Sequence, residues 1–431
     1  MHIYFSGIGG HAIGPLAMIA KQAGYDVSGS DKQESLETKN LQQQGIAVHI
    51  GQTTEQIAAV HAKQPIDWLV YSSALTYGSP NHPELAFAEE HGIKHSKRDD
   101  LLNKIIEDRN LKLLAFSGTH GKTTTTAMAI WLMQNLNLPI SYSVGARISF
   151  GPMGTFTPGS EYFIYECDEF DRNFLAFHPY LSAITGIAWD HHEIFPTRED
   201  YNEAYVDFIG QSQHTIAWER DSDILRLPTS TSLTVLSDSD PAIAAIKQYG
   251  VFNRQDAWLA VQAVAYCTGT PVEQLVPIID RFPGLTQRME RLAPNLYTNY
   301  AHTPEKIKGG MSAALEMAAE AGQDLIIIYE PLTNRRQLYI KDDYKDTFAG
   351  AAKVYWVPTY LAREDPDVAV LSPAELIPYL SDPSIAEPAA IDDTLAAHIR
   401  EHLDQGALVV AMGAAGGGSL DEWLRERFGA A

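Results

Sequence analysis

"LLAFSGTHGKTTTTAMAIWLM", Leu113 to Met133, decides how the rest of the chain is read. Leu113 to Phe116 is a short apolar run cut off by Ser117-Gly118, the pattern of a buried parallel strand. From Thr123 onward, Ala127, Ile130, Trp131 and Met133 recur at helical spacing. The segment is therefore strand, tight glycine turn, helix. Gly118 and Gly121 allow the backbone to turn with its N–H groups inward, and the helix N-terminus adds about half a positive charge. Lys122 adds a full charge, and the Thr123 hydroxyl can ligate a metal. This is the logic of a P-loop that holds a nucleoside triphosphate with Mg²⁺. Gly118, Thr119, His120, Gly121, Lys122, Thr123 and Thr124 are the candidate phosphate-binding residues. The spacing departs from the usual motif, because Phe116 stands where the first glycine would be. The competing reading is an ordinary strand-to-helix turn, but Gly, Lys and Thr all fall where phosphate chemistry needs them.

Upstream, residues 1 to 108 alternate strand and helix. "HIYFSG" is a strand, "HAIGPLAMIAKQAG" an amphipathic helix ended by Gly24, and "DVSGSD" and "DWLVYSS" are further strands. "GIGGHA", Gly7 to Ala12, follows the first strand and fits G-x-G-x-x-A, with Asp31 nineteen residues on. It reads as a dinucleotide-type fingerprint, with backbone N–H groups for a diphosphate and an acid for a ribose. A plain glycine turn in a βα unit is the competing reading. The charged segment "IEDRNLK", 106 to 112, reads as a linker.

Residues 109 to 292 continue as α/β. "EYFIYECDE" and "LSAITGIAWD" are strand-like runs that end in acidic clusters. The first carries Glu166, Asp168, Glu169 and Asp171; the second leads into Asp190, His191, His192 and Glu193. Carboxylates and a histidine at parallel-strand ends face the ligand crevice and can hold Mg²⁺ beside a triphosphate. A third pattern fills residues 293 to 431, with strands in "NLYTNY", "DLIIIYEP", "KVYWVP" and "ALVVAMG". Arg335, Arg336 and Arg363 follow apolar runs there and suit a carboxylate or phosphate. The whole chain reads as α/β in three doubly wound domains: 1–108, 109–292 and 293–431.

The bulk numbers agree. A chain of 431 residues has room for two to three domains. Its net charge of −22 disfavours nucleic acid and anionic membranes as main partners, so an anionic substrate must meet local positive sites. Cys167 and Cys267 form neither a CxxC pair nor a disulfide framework, which suits the cytoplasm. No apolar run is long enough to span a membrane, and "MHIYFSGIGG" lacks the basic and apolar regions of a signal peptide. A monomer or homodimer is expected.

Together these stretches resemble the Mur ligases, the ATP-dependent amino-acid ligases of peptidoglycan synthesis. "GIGGHAIGPLAMIAKQAGYDVSGSD", "VYSSAL…NHPEL" and "GTHGKTTTT" are most similar to the branch that adds alanine or recycles a tripeptide. The resemblance implies a Rossmann-like N-terminal domain that binds a UDP-sugar, UDP-N-acetylmuramate, at Gly7, Ile8, Gly9, Gly10, His11 and Asp31, with Ser72 and Ser73 close by. It implies a central P-loop ATPase domain and a C-terminal Rossmann-like domain that brings a small amino acid, L-alanine above all. Thr123, Glu166 and His191 fall on the family's magnesium motifs; Asn253 and Arg288 fall on its ATP motifs; Tyr300, His302, Arg336 and Arg363 fall on its amino-acid side. The implied chemistry is an acyl phosphate, with Lys122, Glu166, His191 and His302 as the catalytic group. Departures from the family pattern are Phe252 for histidine, Asp256 and Asn299 for asparagine and aspartate, and Glu330, Leu332 and Thr333 for glutamine, histidine and arginine. They leave a non-catalytic UDP-sugar-binding protein as the alternative of another class. No lysine lies between Lys122 and Lys247, so the carbamylated lysine of several family members is not expected.

Overall fold

A computed structural model describes residues 1–72, 75, 81–191, 194–361, 368–413 and 417–429. Three sheets follow one another along the chain. The first is built from β1 (His2–Ser6), β2 (Asp26–Asp31), β3 (Ala47–Ile50), β4 (Trp68–Tyr71) and β5 (Lys94–Lys97), all parallel, in the order β3-β2-β1-β4-β5. The second contains β6 (Lys112–Ser117), β7 (Ile140–Ser143), β8 (Gly154–Thr155), β9 (Tyr162–Glu166), β10 (Leu181–Ile184), β11 (His214–Trp218) and β12 (Leu233–Leu236), in the order β12-β11-β10-β6-β9-β7-β8. Only its β7–β8 edge is antiparallel. The third holds β13 (Glu290–Ala293), β14 (Leu296–Asn299), β15 (Leu325–Tyr329), β16 (Lys353–Trp356), β17 (Ala386–Pro388) and β18 (Leu408–Met412), in the order β13-β14-β18-β15-β16-β17, antiparallel only at β13–β14. Central strands such as β1, β15 and β18 are buried on both faces. That is why they read as continuous apolar runs rather than as alternating ones.

The chain divides into two compact units: Met1–Pro241 with Asp256–Phe282, and Ala242–Gln255 with Pro283–Ala431. The first unit holds two of the sheets because one core runs through both. Ile3, Phe5, Leu16, Leu101, Leu113 and Phe163 belong to the same buried cluster. The helix Ile13–Gln22 lies close against β8: a methyl on Gly154 would come within 2.8 Å of Pro15 Cβ, so only glycine allows the approach. Gln22 Oε1 accepts from Phe156 N at 2.7 Å, and Lys97 pairs with Asp171. The expected linker at 106–112 is a correction. The helix Arg98–Asp108 runs into it and β6 begins at Lys112, leaving only Arg109–Leu111 between them. The reason is apolar: Ile105 and Ile106 are buried in the shared core, so the segment is held rather than free.

Candidate functional site

The P-loop is assembled as the glycine spacing requires. β6 ends at Ser117, and Gly121 caps the helix Lys122–Asn135 with φ +80°. Gly118 has φ +147° and lies so close to Thr185 and Gly186 that a side chain would clash. Lys122 turns its Nζ back to donate to Gly118 O (2.6 Å) and Glu169 Oε2 (2.8 Å), with Asp168 Oδ1 at 3.9 Å. Burial lowers the basicity of Lys122, but Glu169, Asp168 and Glu166 outweigh it and hold the ammonium charged. Thr123 Oγ1 donates to Glu166 Oε1 at 2.7 Å, while Glu166 Oε2 accepts from Gly145 N at 2.8 Å. Thr119 is fixed by Ala188 O and by the Tyr201 hydroxyl, each at 2.7 Å, and its N–H donates to Gly186 O at 2.8 Å. His120 O accepts from the Thr185 hydroxyl. Thr124 lies in the first turn of the helix.

Glu169, expected only as one of the carboxylates that complete a metal shell, is the centre of this arrangement. It is fully buried, accepts from Lys122, lies 3.4 Å from the Tyr201 hydroxyl and 3.7 Å from His191 Nε2. Burial pushes its carboxyl up, against the pull of Lys122. Oxygen or nitrogen atoms of Asp168, Glu169 and His191 lie within 4.8 Å of one another, so this trio has the donors for a cation. The expected metal set thus falls in two parts: Thr123 and Glu166 bond to each other, and His191 groups with Asp168 and Glu169. His191 adopts φ +54° and packs edge-on against Phe170, which fixes its ring beside the acids. The oxygen-rich donor set suits Mg²⁺.

At the end of β1 the expected cradle is occupied from within. Gly7 N and Ile8 N both donate to Ser30 O, Gly10 N donates to Gly7 O, and Gly9 N donates to Asp31 Oδ2 at 2.8 Å. These four amides were expected to receive a diphosphate; here they hold the turn closed, and Asp31 is part of that closure. His11 stands exposed at the head of the helix. Ser72 follows β4, its carbonyl accepting from Leu75 N, and Ser73 lies outside the described residues. A cavity of about 210 Å³ opens between this loop and the P-loop, reached by His11, Lys122, Glu166 and Arg98. Sequence reading missed Arg98 because its partners, Asp99 apart, lie about seventy residues on.

In the second unit, Arg288, Tyr300 and His302 come together. The Arg288 guanidinium lies 5.0 Å from the Tyr300 ring centroid, and Tyr300 meets His302 edge-on at 4.5 Å. His302 is buried. Asn299 Oδ1 accepts from Met289 N at 3.3 Å, a turn-holding role. Asn253 donates to Tyr249 O at 2.8 Å within the same unit. Arg336 belongs to the short helix Asn334–Ile340, whose N-cap Thr333 takes φ +55°. Glu330 is buried and accepts from Leu420 N. Arg363 lies outside the described residues.

Residues 2–110 match the family model described as Mur ligase family, catalytic domain. The chain is 28% identical over 453 residues to the UDP-N-acetylmuramate–L-alanine ligase of Acetivibrio thermocellus, covering 96% of this chain and 93% of the relative. It is also 28% identical over 449 residues to the protein of the same name from Streptomyces coelicolor, covering 95% and 94%. Among solved structures, the UDP-N-acetylmuramate-alanine ligase of Thermotoga maritima shares the fold with a TM-score of 0.73 at 18% identity, over 99% of this chain and 98% of that one. A murein peptide ligase from Psychrobacter arcticus does so with a TM-score of 0.56 at 19% identity, over 96% and 95%. A P-loop beside a glycine-turn sheet and a third α/β sheet accompany this likeness: residues 2–110 carry a Mur ligase family domain, and the chain is similar nearly end to end to these ligases and shares their fold.

Proposed function

We propose that the protein is an ATP-dependent carboxylate–amine ligase that joins L-alanine to the lactyl carboxylate of UDP-N-acetylmuramate, a step of peptidoglycan precursor synthesis. The observation that carries this reading is the cavity shared by the glycine-loop sheet and the P-loop, with Lys122 on its wall. It offers one compartment in which a sugar carboxylate can meet a terminal phosphoryl group. The near full-length relatives named for alanine ligation favour L-alanine over a tripeptide. In this reading residues 1–108 bind the UDP-sugar, 109–292 bind ATP, and 293–431 bring the amino acid.

The carboxylate oxygen attacks the γ-phosphorus, the bond to the β-phosphate oxygen breaks, and ADP leaves. The amine then attacks the acyl carbon and expels phosphate. A carboxylate is a poor nucleophile towards an anionic phosphate, so charge neutralisation and alignment supply most of the acceleration. Lys122 and the N–H groups at the helix Lys122–Asn135 provide fixed positive charge where it develops. Glu169 holds Lys122 in place in the free protein, and ATP takes over that contact. Thr123, Glu166 and His191, with Asp168 and Glu169, would hold Mg²⁺, which when bound neutralises phosphate charge. The amine proton passes to a histidine, His191 or His302. Asn253 and Arg288 serve ATP, and Tyr300, Arg336 and Arg363 serve the amino acid. Both cysteines are free, in keeping with a cytoplasmic enzyme; among the described residues no helix is long and apolar enough to cross a membrane. The protein works as a monomer or homodimer.

Phosphate release measured with UDP-N-acetylmuramate and each of L-alanine, glycine, L-serine and the tripeptide tests the assignment. Release that needs both the sugar and L-alanine is expected. Sugar binding without phosphate release across the panel would replace the ligase by a binding protein.

A further inference from the structure

Lys122 is spent on Gly118, Glu169 and Asp168, and the glycine-loop amides are spent on Ser30, Gly7 and Asp31. One cation of the cavity differs. Arg98 is the first residue of the helix Arg98–Asp108 and lines the cavity together with Leu16, Leu102, Lys122, Glu166 and Asp168. Its one hydrogen bond among the described residues runs from Nε to Asp99 Oδ2 at 3.3 Å. Among the described residues both terminal nitrogens, with four N–H groups, make none, and the side chain is about one-fifth exposed. Asp99 is itself pinned by the Tyr165 hydroxyl at 2.8 Å and is buried. The guanidinium is therefore anchored at one end on the cavity wall, with Tyr165 and Asp168 as its other electrostatic neighbours. Its planar fork matches a carboxylate in two parallel hydrogen bonds.

We propose that Arg98 is the residue by which the site selects a UDP-sugar that carries a carboxylate, receiving that carboxylate in the cavity beside the P-loop. Leu16 and Leu102 supply an apolar wall for the methyl-bearing carbon of a lactyl arm. Electrostatics favour the same arrangement: in a chain of net charge −22, an anion needs a local cation with unspent donors. The inference rests on the reading of the chain as a ligase of UDP-N-acetylmuramate and adds the residue that makes the sugar specific.

Calorimetric titration of the full chain with UDP-N-acetylmuramate and with UDP-N-acetylglucosamine, which lacks the lactyl group, separates the two. The wild type is expected to prefer the carboxylated sugar by about tenfold or more. Arg98→Ala should lose about 30-fold to 100-fold in affinity for it, the usual scale for a charged hydrogen-bonded pair, and change less than about threefold for the other sugar. Arg98→Lys keeps the charge and loses the fork, so an intermediate loss is expected; it decides the matter if Arg98→Ala fails to fold. A wild-type preference that survives both substitutions overturns the role of Arg98 and leaves the ligase reading standing. A wild type that binds neither sugar overturns both.

Discussion

Asp256 provides the sharpest test of how the P-loop is built. Its carboxyl lies against the turn: a methyl group on Gly121 would come within 2.5 Å of Oδ1. Burial pushes this acid up to about 8, against smaller opposing effects from Thr125 and Arg220. An acid raised from 3.8 to about 8 stays protonated in the folded chain while the unfolded chain ionises. The folded state then binds the extra proton, so stability falls as pH rises from about 4 to 8 and stays low above that. A shift of about four units corresponds to at most ~6 kcal/mol at about 1.36 kcal/mol per unit. With local relaxation and water entry, roughly 1–3 kcal/mol is expected on replacing the acid by its isostere. Asp256→Asn should therefore melt roughly 2–5 °C above wild type at pH 8.5 and within about 2 °C of it at pH 5. The assay is thermal unfolding of both proteins in matched buffers from pH 5 to 9. A gap that stays constant across that range would refute a protonated acid behind the P-loop.

Other outcomes follow from the same geometry. Lys122→Ala should fold, because the loop lies at a strand end, and should lose about 10²-fold or more in turnover; unchanged phosphate release would remove it from the phosphoryl site. Gly121→Ala forces a side chain into φ +80° and against Asp256, so a lower melting temperature and weaker ATP binding are expected, both read by ligand-dependent thermal shift. Arg336→Ala should raise the KM for L-alanine by about tenfold or more while leaving the KM for UDP-N-acetylmuramate nearly unchanged; micromolar alanine saturation in that variant would contradict its role. Because no lysine lies between Lys122 and Lys247, activity in bicarbonate-depleted buffer should equal that in bicarbonate; rescue by bicarbonate would reveal a carbamate.

The legible parts of the chain were those set by local rules. β6, the turn at Gly118 and Gly121, and the helix from Lys122 are fixed by apolar runs and by glycines that need positive φ. The segment at 106–112 was misread because its charges are conspicuous, whereas the burial of Ile105 and Ile106 depends on a sheet elsewhere in the chain. The short, half-exposed strand β5, with its sequence KHSK, carries no apolar signal and passed unnoticed. At the site, Glu166 and Glu169 look alike in sequence; only the fold sets one against Thr123 and the other against Lys122. The fingerprint at Gly7 to Ala12 was read for a ligand, yet the tight turn consumes its own amides, and Asp31 serves that turn. Arg98 could not be recognised, since its neighbours Tyr165 and Asp168 reach it only through tertiary packing.

The central claim is the acyl phosphate, and an isotope follows it directly. UDP-N-acetylmuramate labelled with ¹⁸O in the lactyl carboxylate is turned over with ATP and L-alanine, and the released phosphate is weighed by mass spectrometry. If the carboxylate attacks phosphorus and the amine then expels phosphate, each phosphate carries one oxygen taken from the sugar. Phosphate released without that oxygen, alongside formation of the amide, would contradict the mechanism.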